Sequence, residues 1–537
     1  MKTPQILFFL LCFNLCAAQT YLDPTASVDE RVEDLIARMT LSEKVGQMTM
    51  AERGQLGAQG EHIKLYFLGA VLSGGGSAPG NNSVQSWVDM YNDFQQQALN
   101  TRLGIPILYG TDAVHGNNNL DGAVIFPHNI GLGCTNNTEL IEQCARITAL
   151  EVAATGVDWT FSPCITVPRN ERWGRTYEGF GEAPEAVSPM GVASIKGYQT
   201  DSLGSENSIL ACAKHFIADG GTTNGIDQGN TVISEQELRD IHLKPYIDAV
   251  NADVGSVMIT YSSWNGLKTH GDKYLVTDVL KEELGFEGIV LSDWKAINQL
   301  GDFKNAIAQS INAGLDMAMQ PDDYISFINF LKQLVNEDRV SMDRIDDAVR
   351  RVLRIKFQMG LFENPYVSMA MADTVGSKTH RATGRQAVRE SLVLLKNDGV
   401  LPLAKNNATI VLAGSKANDI GVQCGGWSIS WQGSLGNITE GTTIKTALEK
   451  VVGRNRVRYT ASSNIPDGDL AVVVVGEEPY AEGAGDRGFG DSRFYISERE
   501  KEIIDAVKAK GIPMVVILLS GRPIMLEDYL DKSNAFV

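Results

Sequence analysis

The sequence predicts an α/β protein in two parts: a barrel of βα units, then a doubly wound α/β sheet. Three observations carry this. From about residue 30 to 365, short apolar runs alternate with amphipathic helical patterns, and nearly every run ends in polar residues or glycine. The side chains near those run ends, among them Asp112, Lys214, His215, Tyr261 and Asp293, are the ones expected to meet at the C-terminal mouth of a single parallel barrel. After a stretch without periodicity four further apolar runs follow, and 537 residues is more than one hydrophobic core serves.

In chain order, residues 1–18 carry Lys2, an apolar stretch at 6–11 and the small exit pair Ala17-Ala18, the layout of a secretory signal peptide. It is too short to span a bilayer, and no later run reaches the roughly 20 apolar residues of a spanning helix, so a soluble exported protein is expected, secreted and extracellular, or periplasmic or lysosomal depending on its source. The barrel domain is predicted over 19–365, with its clearest strand runs at 69–72, 105–109, 157–161, 209–211, 256–259 and 289–291. Between them Ser234-Glu235-Gln236-Glu237 opens a helix in the manner of a capping box, with Leu238, Ile241, Leu243 and Ile247 on its stripe. A helical repeat with interspersed arginines over 343–357 closes the domain, stopped by Gly360 and Pro365. Residues 366–382 read as a linker. The second domain, 383–537, offers runs at 392–395, 410–412, 471–475 and 514–519 as buried strands. It is expected to be C-terminally incomplete, because the chain stops at Phe536-Val537 soon after the Arg522-Pro523 turn.

Hydrophobic residues make up 43% and charged residues 21%, an ordinary globular balance. The formal charge of −18 argues against nucleic acid as a partner. Loss of the signal would remove Cys12 and Cys16 and leave Cys134, Cys144, Cys164, Cys212 and Cys424, which is not a disulfide scaffold. Cys134 and Cys144 could form a local bridge, while Cys212 in its apolar run reads as a buried thiol. Neither zinc-finger nor His-Glu-x-x-His spacing occurs, so no metal and no cofactor are expected. Acceptor sequons begin at Asn81, Asn136, Asn407 and Asn437 and would be glycosylated in a eukaryotic secretory pathway.

The segment with most chemical content is Ile289-Val290-Leu291-Ser292-Asp293-Trp294. A buried strand that stops at a carboxylate offers a rigid nucleophile, and the adjacent indole offers a sugar ring an apolar face. The plainer alternative is an aspartate that caps the next helix. Cleavage of a glycosidic bond takes two carboxyl groups, and the second is sought in Gly476-Glu477-Glu478-Pro479-Tyr480-Ala481-Glu482-Gly483, where local sequence leaves Glu477, Glu478 and Glu482 equal. Gly483-Ala484-Gly485-Asp486-Arg487-Gly488 matches a dinucleotide pattern, but seven residues separate it from its strand and no apolar helical stripe follows. Gly74-Gly75-Gly76 lacks the lysine sequel of a phosphate loop. Arg175, Lys214 and His215 follow buried runs and could donate charge-assisted hydrogen bonds to sugar hydroxyls; Arg175 could equally pair with Glu178. Trp427 and Trp431 sit in a glycine-bracketed loop suited to stacking on a pyranose.

Tyr109-Gly110-Thr111-Asp112-Ala113-Val114-His115-Gly116, Arg172-Trp173-Gly174-Arg175-Thr176-Tyr177-Glu178, Lys214-His215-Phe216, the stretch 257–266, Ser292-Asp293-Trp294 and the double-tryptophan loop occur in that order. Together they closely resemble glycoside hydrolase family 3, and within it the plant-type exo-β-glucan glucohydrolases and β-glucosidases. The resemblance covers nearly all of the chain after residue 18. It implies a (β/α)8-like TIM barrel followed by an α/β sandwich, with the site between them. By the same resemblance Asp293 is the nucleophile and Glu482 the acid/base. Asp112, Arg175, Lys214 and His215 hold hydroxyls of the non-reducing sugar, and Met258 and Tyr261 line its pocket. Trp294 and Trp431 sandwich the next sugar, with Trp427 close by. The chain departs from the plant enzymes at Gln299, where they have arginine, and at Asp227-Gln228, and family members continue beyond Ser520-Gly521-Arg522-Pro523. The implied activity is a retaining exo-acting β-glucosidase that releases glucose from β-glucosides and β-glucan oligosaccharides. The alternatives are a β-xylosidase or other exo-glycosidase of the family, a catalytically impaired carbohydrate-binding protein, and a nucleotide-dependent oxidoreductase.

Overall fold

The computed structural model describes residues 19–205, 207–404 and 408–537; the expected signal peptide with Cys12 and Cys16, and the sequon residue Asn407, lie outside the described residues. Eight parallel strands close a barrel: β1 (Thr49–Glu52), β2 (Ala70–Ser73), β3 (Leu108–Thr111), β4 (Trp159–Thr160), β5 (Cys212–Phe216), β6 (Ser256–Ile259), β7 (Ile289–Leu291) and β8 (Ala318–Met319). They run round the barrel in chain order. β8 pairs back on β1 through Thr49 with Ala318, and single bridges from Trp159 to Leu210 and from Leu291 to Met317 join the two halves. Side chains alternate in and out with period two. Met50, Leu72, Leu108, Trp159, Met258 and Leu291 fill the interior, while Val71, Tyr109, Val257 and Val290 pack outward beneath the helices.

The strand that leads to Asp293 is fixed at its base. Asp316, fully buried, accepts the Val290 N–H at 2.9 Å and faces Lys281 at 2.6 Å and Arg344 at 2.5 Å, so its carboxylate is paired rather than stranded. Helix α1 (Val28–Arg38) starts at a capping box of Ser27 and Glu30 and packs on α2 (Met342–Gln358), which is the helix expected over 343–357. The helix expected after Ser234 also forms, with the Ser234 hydroxyl accepting the Glu237 N–H. It widens to π geometry over Leu238–Leu243, immediately before Pro245, whose ring cannot supply an N–H to a regular turn.

Two boundaries differ from expectation. Within 366–382, a 3-10 turn forms over Met369–Thr374, and helix α3 (Lys378–Ser391) begins. Ala387 of α3 belongs to the barrel's core, and buried Glu151 gathers the Val124 N–H, the Gly376 N–H and His380 Nδ1, so this segment is tied down rather than free. The run 392–395, expected as a buried strand, is instead an exposed extended connection: only its last residue, through the Leu395 N–H to the Phe536 carbonyl at 2.9 Å, reaches the sheet, and no layer of the described residues covers it. All five described cysteines are free, so the Cys134–Cys144 bridge is not formed.

The second domain is a six-stranded sheet of β9 (Lys396–Asn397), β10 (Ile410–Ala413), β11 (Val457–Thr460), β12 (Leu470–Gly476), β13 (Met514–Leu519) and β14 (Ala535–Phe536). The strand order is β9-β14-β13-β12-β10-β11, parallel except for β9. Central β12 is apolar at six successive positions, five of them buried, because both its faces are covered. Ala471, Val473 and Val475 pack with Ile503, Ile504 and Val507 of α5 (Glu498–Ala509), whereas Val472 and Val474 face the side of α4 (Ile444–Val452).

Candidate active site

The C-terminal mouth of the barrel opens into a cavity of about 530 Å³, and all eleven side chains singled out from the sequence line it, from Asp112 to Glu482. A larger cavity, about 1130 Å³, lies at the opposite end, where Gly255 and Gly288 lead into β6 and β7. None of the residues singled out lines it. In parallel barrels chemistry belongs to the C-terminal face, and the smaller cavity is the one with converging ionisable groups.

Asp293 stands two residues beyond β7. Ser292 locks the turn by accepting the Met319 N–H at 2.8 Å, and His270 Nε2 accepts the Asp293 N–H at 3.2 Å. Asp293 Oδ1 accepts the Trp294 N–H at 2.6 Å. Oδ2 is buried with no hydrogen-bond partner among the described residues, 3.7 Å from His215 Nε2. Burial lifts this carboxyl from 3.8 to about 6, against the pull of Arg175, the Trp294 N–H and Lys214. Asp293 is therefore ionised at neutral pH with one oxygen uncommitted, the state a nucleophile requires.

Glu482 comes from the second domain. Its carboxyl is pushed from 4.5 to about 8, first by burial and then by the Asp293 and Asp227 carboxylates, with Arg175 opposing. Arg175 Nη1 lies 3.5 Å from Glu482 Oε1. The loop is held from several sides. Ala481 exchanges two hydrogen bonds with the Gln432 side chain, and the Tyr177 hydroxyl donates to the Tyr480 carbonyl at 2.6 Å. Asp486 accepts the N–H groups of Gly174 and Asp227, both at 2.8 Å. A side chain on Gly174 would collide with the Glu482 carbonyl, so only glycine lets the two backbones meet. Glu477 is consumed by Tyr480, Ser520 and the Gly521 N–H, and neither it nor Glu478 lines the cavity. The glycines after Glu482 shape a 3-10 turn, Glu482–Gly485, and open no helix.

Between the two carboxyls lies a cluster of fixed charged and polar groups. Arg175 makes a bidentate pair with Glu178, both bonds 2.9 Å, so the structural pairing and the site role coexist. Its Nη2 also reaches His215 Nε2 at 3.0 Å. Since a guanidinium only donates, Nε2 of His215 accepts and Nδ1–H donates to Asp219 at 2.8 Å. Burial, reinforced by Arg175 and Lys214, keeps His215 neutral, well below the usual histidine range. Lys214, in the middle of β5, donates to Asp112 Oδ1 at 3.0 Å. Burial disfavours its charge, but the nearby carboxylates, Asp112 and then Glu178, together outweigh this and Lys214 stays protonated.

The mouth is walled by indoles. Trp294 is 38% and Trp431 44% exposed, while Trp427 is buried and donates to Glu178 at 3.2 Å. Gly74 and Gly75 run beneath them. A Cβ at Gly75 would come within 2.9 Å of the Trp427 ring and 3.1 Å of the Trp431 backbone, which gives this glycine run a steric role.

Sequence reasoning missed the device that brings the two domains' loops into register. His115 and His128 stack at 3.7 Å, His128 meets Tyr177 at 4.5 Å, and Tyr177 meets Tyr480 at 5.5 Å. His115 Nε2 lies 3.0 Å from the Trp427 carbonyl and His128 Nε2 3.0 Å from the Gly426 carbonyl. One aromatic column thus touches both the tryptophan loop and the Glu482 loop. His115 stood in a recognised motif, but His128 and Tyr480 carry no local signature of such a contact.

A barrel mouth with one free buried carboxylate, a second carboxyl kept protonated and indole walls defines a carbohydrate-cleaving hydrolase. The chain belongs to glycoside hydrolase family 3: residues 40–355 match the glycosyl hydrolase family 3 N terminal domain and residues 392–537 the C-terminal domain. It is 33% identical to a lysosomal beta glucosidase of Dictyostelium discoideum over 95% of this chain and 68% of that protein. It is 28% identical to a beta-xylosidase of Formosa agariphila over 95% and 69%. The crystal structure of an exo-1,3/1,4-beta-glucanase from a Pseudoalteromonas species superposes with a TM-score of 0.89 at 39% identity, covering 96% of this chain and 67% of that one.

Proposed function

We propose that the protein is a retaining, exo-acting β-glucosidase that removes glucose from the non-reducing ends of β-glucosides and β-glucan oligosaccharides. The observation that carries the reading is the division of labour between two carboxyls on one cavity: Asp293 near 6 and Glu482 near 8. Asp293 Oδ2 attacks the anomeric carbon while Glu482 gives its proton to the departing oxygen. Glu482, now a carboxylate, then takes a proton from the water that releases the sugar. Asp112, Lys214, Arg175 and His215 form the polar inner end that receives the hydroxyls of one sugar, and the more exposed Trp294 and Trp431 meet the next. A site polar at its inner end and aromatic at its mouth favours attack from chain ends. The relatives named beta glucosidase and exo-1,3/1,4-beta-glucanase support this substrate class.

Retention is tested by following the anomer of newly released glucose by NMR: β-glucose appears first, and initial release of α-glucose would overturn the mechanism. Asp293→Ala should lose all but a trace of aryl β-glucosidase activity with its circular dichroism unchanged; appreciable residual turnover would remove Asp293 from its role. The second reading, β-xylosidase, rests on the Formosa relative and is decided by comparing aryl β-xyloside with aryl β-glucoside. We further propose export through a secretory pathway, supported by the leader pattern of residues 1–18 and by the lysosomal designation of the Dictyostelium relative.

A further inference from the structure

The loop that delivers Glu482 carries a second feature which bond cleavage does not use. After Asp486, the Arg487 N–H donates to the Arg172 carbonyl at 2.9 Å, and the chain then projects a tip, Gly488-Phe489-Gly490. Phe489 is 77% exposed, and a Cβ on either flanking glycine would meet nothing. Its ring is nonetheless braced: the Arg172 guanidinium lies 4.7 Å from its centroid and 5.3 Å from that of buried Phe494. A ring supported from behind and bare in front has no packing role in the chain itself.

The tip is joined to the cavity wall through Arg172 and residues 225–228. A Cβ at Gly225 would lie 3.1 Å from Arg172 Cβ, and Gln228, three residues further on, lines the cavity. Three residues span at most about 11 Å. Between them Ile226 is 54% exposed, and Asp227 is bound through its N–H to Asp486 of the same loop. The 225–228 segment thus runs from Arg172, which braces Phe489, to the cavity wall, with one exposed apolar side chain, Ile226, on the way. Glu52 and Asp322 on the cavity wall would repel uronates and sulfated sugars. A single ring on a narrow tip is far too small for a protein interface, but it matches the apolar face of one pyranose.

We propose that Phe489, braced by Arg172, is an outer docking platform for neutral β-glucan chains, stacking on a sugar of a chain whose non-reducing end occupies the cavity. This rests on the β-glucan reading of the site. The test is Phe489→Ala, whose exposed position leaves folding untouched, with Phe489→Trp as the conservative control. Activity on an aryl β-glucoside and on disaccharides should match the unaltered enzyme. On neutral β-glucan oligosaccharides of increasing length, kcat/KM of Phe489→Ala should fall about 2- to 10-fold at the longest lengths, and Phe489→Trp should restore it. Length profiles that superimpose would overturn the proposal. A second measurement does not need turnover: migration in native gels containing soluble β-glucan, compared between Asp293→Asn and the Asp293→Asn, Phe489→Ala double variant. Weaker retardation of the double variant supports the platform, and equal retardation overturns it. If the unaltered enzyme failed on every β-glucoside while this difference persisted, the catalytic reading would fall and the platform would stand.

Discussion

Replacing Glu482 with glutamine keeps its shape but removes the transferable proton, and the geometry of the site sets the expected outcome. The rise of its carboxyl from 4.5 to about 8 amounts to roughly 5 kcal/mol by which the site disfavours the carboxylate. Asp293 titrates near 6, so the productive pair, ionised nucleophile and protonated acid, dominates between about pH 6 and 8. The unaltered enzyme should show a bell-shaped kcat/KM profile with limbs near those values, which belong to the pair as a unit. In Glu482→Gln the alkaline limb should vanish. The acid limb should stay near 6, because over that range Glu482 is already neutral and glutamine mimics it. With a substrate whose leaving group needs a proton, such as a disaccharide, kcat/KM should drop about 10²- to 10⁴-fold. With dinitrophenyl β-glucoside, whose leaving group departs as the anion, the first step should be nearly unaffected, and the glycosyl-enzyme should accumulate as a burst because the base for the second step is gone. An alkaline limb near 8 that survives in the variant, or equal losses on both substrates, would refute the assignment.

Asp293→Asn should be more thermostable than the unaltered protein at neutral pH. Because the folded-state carboxyl sits above its usual 3.8, stability is lost as pH rises from about 4 through about 6; the variant's advantage should be absent near pH 4 and complete above pH 7, at up to about 3 kcal/mol. Thermal melts across pH measure it, and a constant difference would contradict the burial argument. Tyr177→Phe removes the hydroxyl that holds the Tyr480 carbonyl at 2.6 Å, two residues before Glu482. It should lower kcat about tenfold on poor leaving groups while leaving inhibition by glucose unchanged, since the polar inner end is untouched. A parallel rise in the glucose inhibition constant would show that the column supports the whole pocket instead.

The sequence by itself determined the parts whose information is local. Short continuous apolar runs marked most barrel strands, because a strand covered on both sides must be apolar at successive positions. The carboxylate after the 289–291 run is expected at the barrel mouth and Asp293 lies there, because the end of a buried strand holds the next residues at that face. Local patterns also misled. The 392–395 run is as apolar as a core strand yet lies exposed, since burial depends on what covers a segment and not on its composition.

The tertiary structure adds a physical distinction among Glu477, Glu478 and Glu482, of which the family resemblance points to Glu482: only Glu482 lines the cavity. Local sequence could not rank three glutamates on one loop; their difference lies in partners more than 40 residues away, Ser520 and Gly521 for Glu477 and Arg175 for Glu482. The same holds for the shifted carboxyls and for the histidine–tyrosine column. A pKa depends on how much water the fold removes and which charges it brings within a few ångströms, and both are set by contacts between domains that a linear pattern of residues does not record.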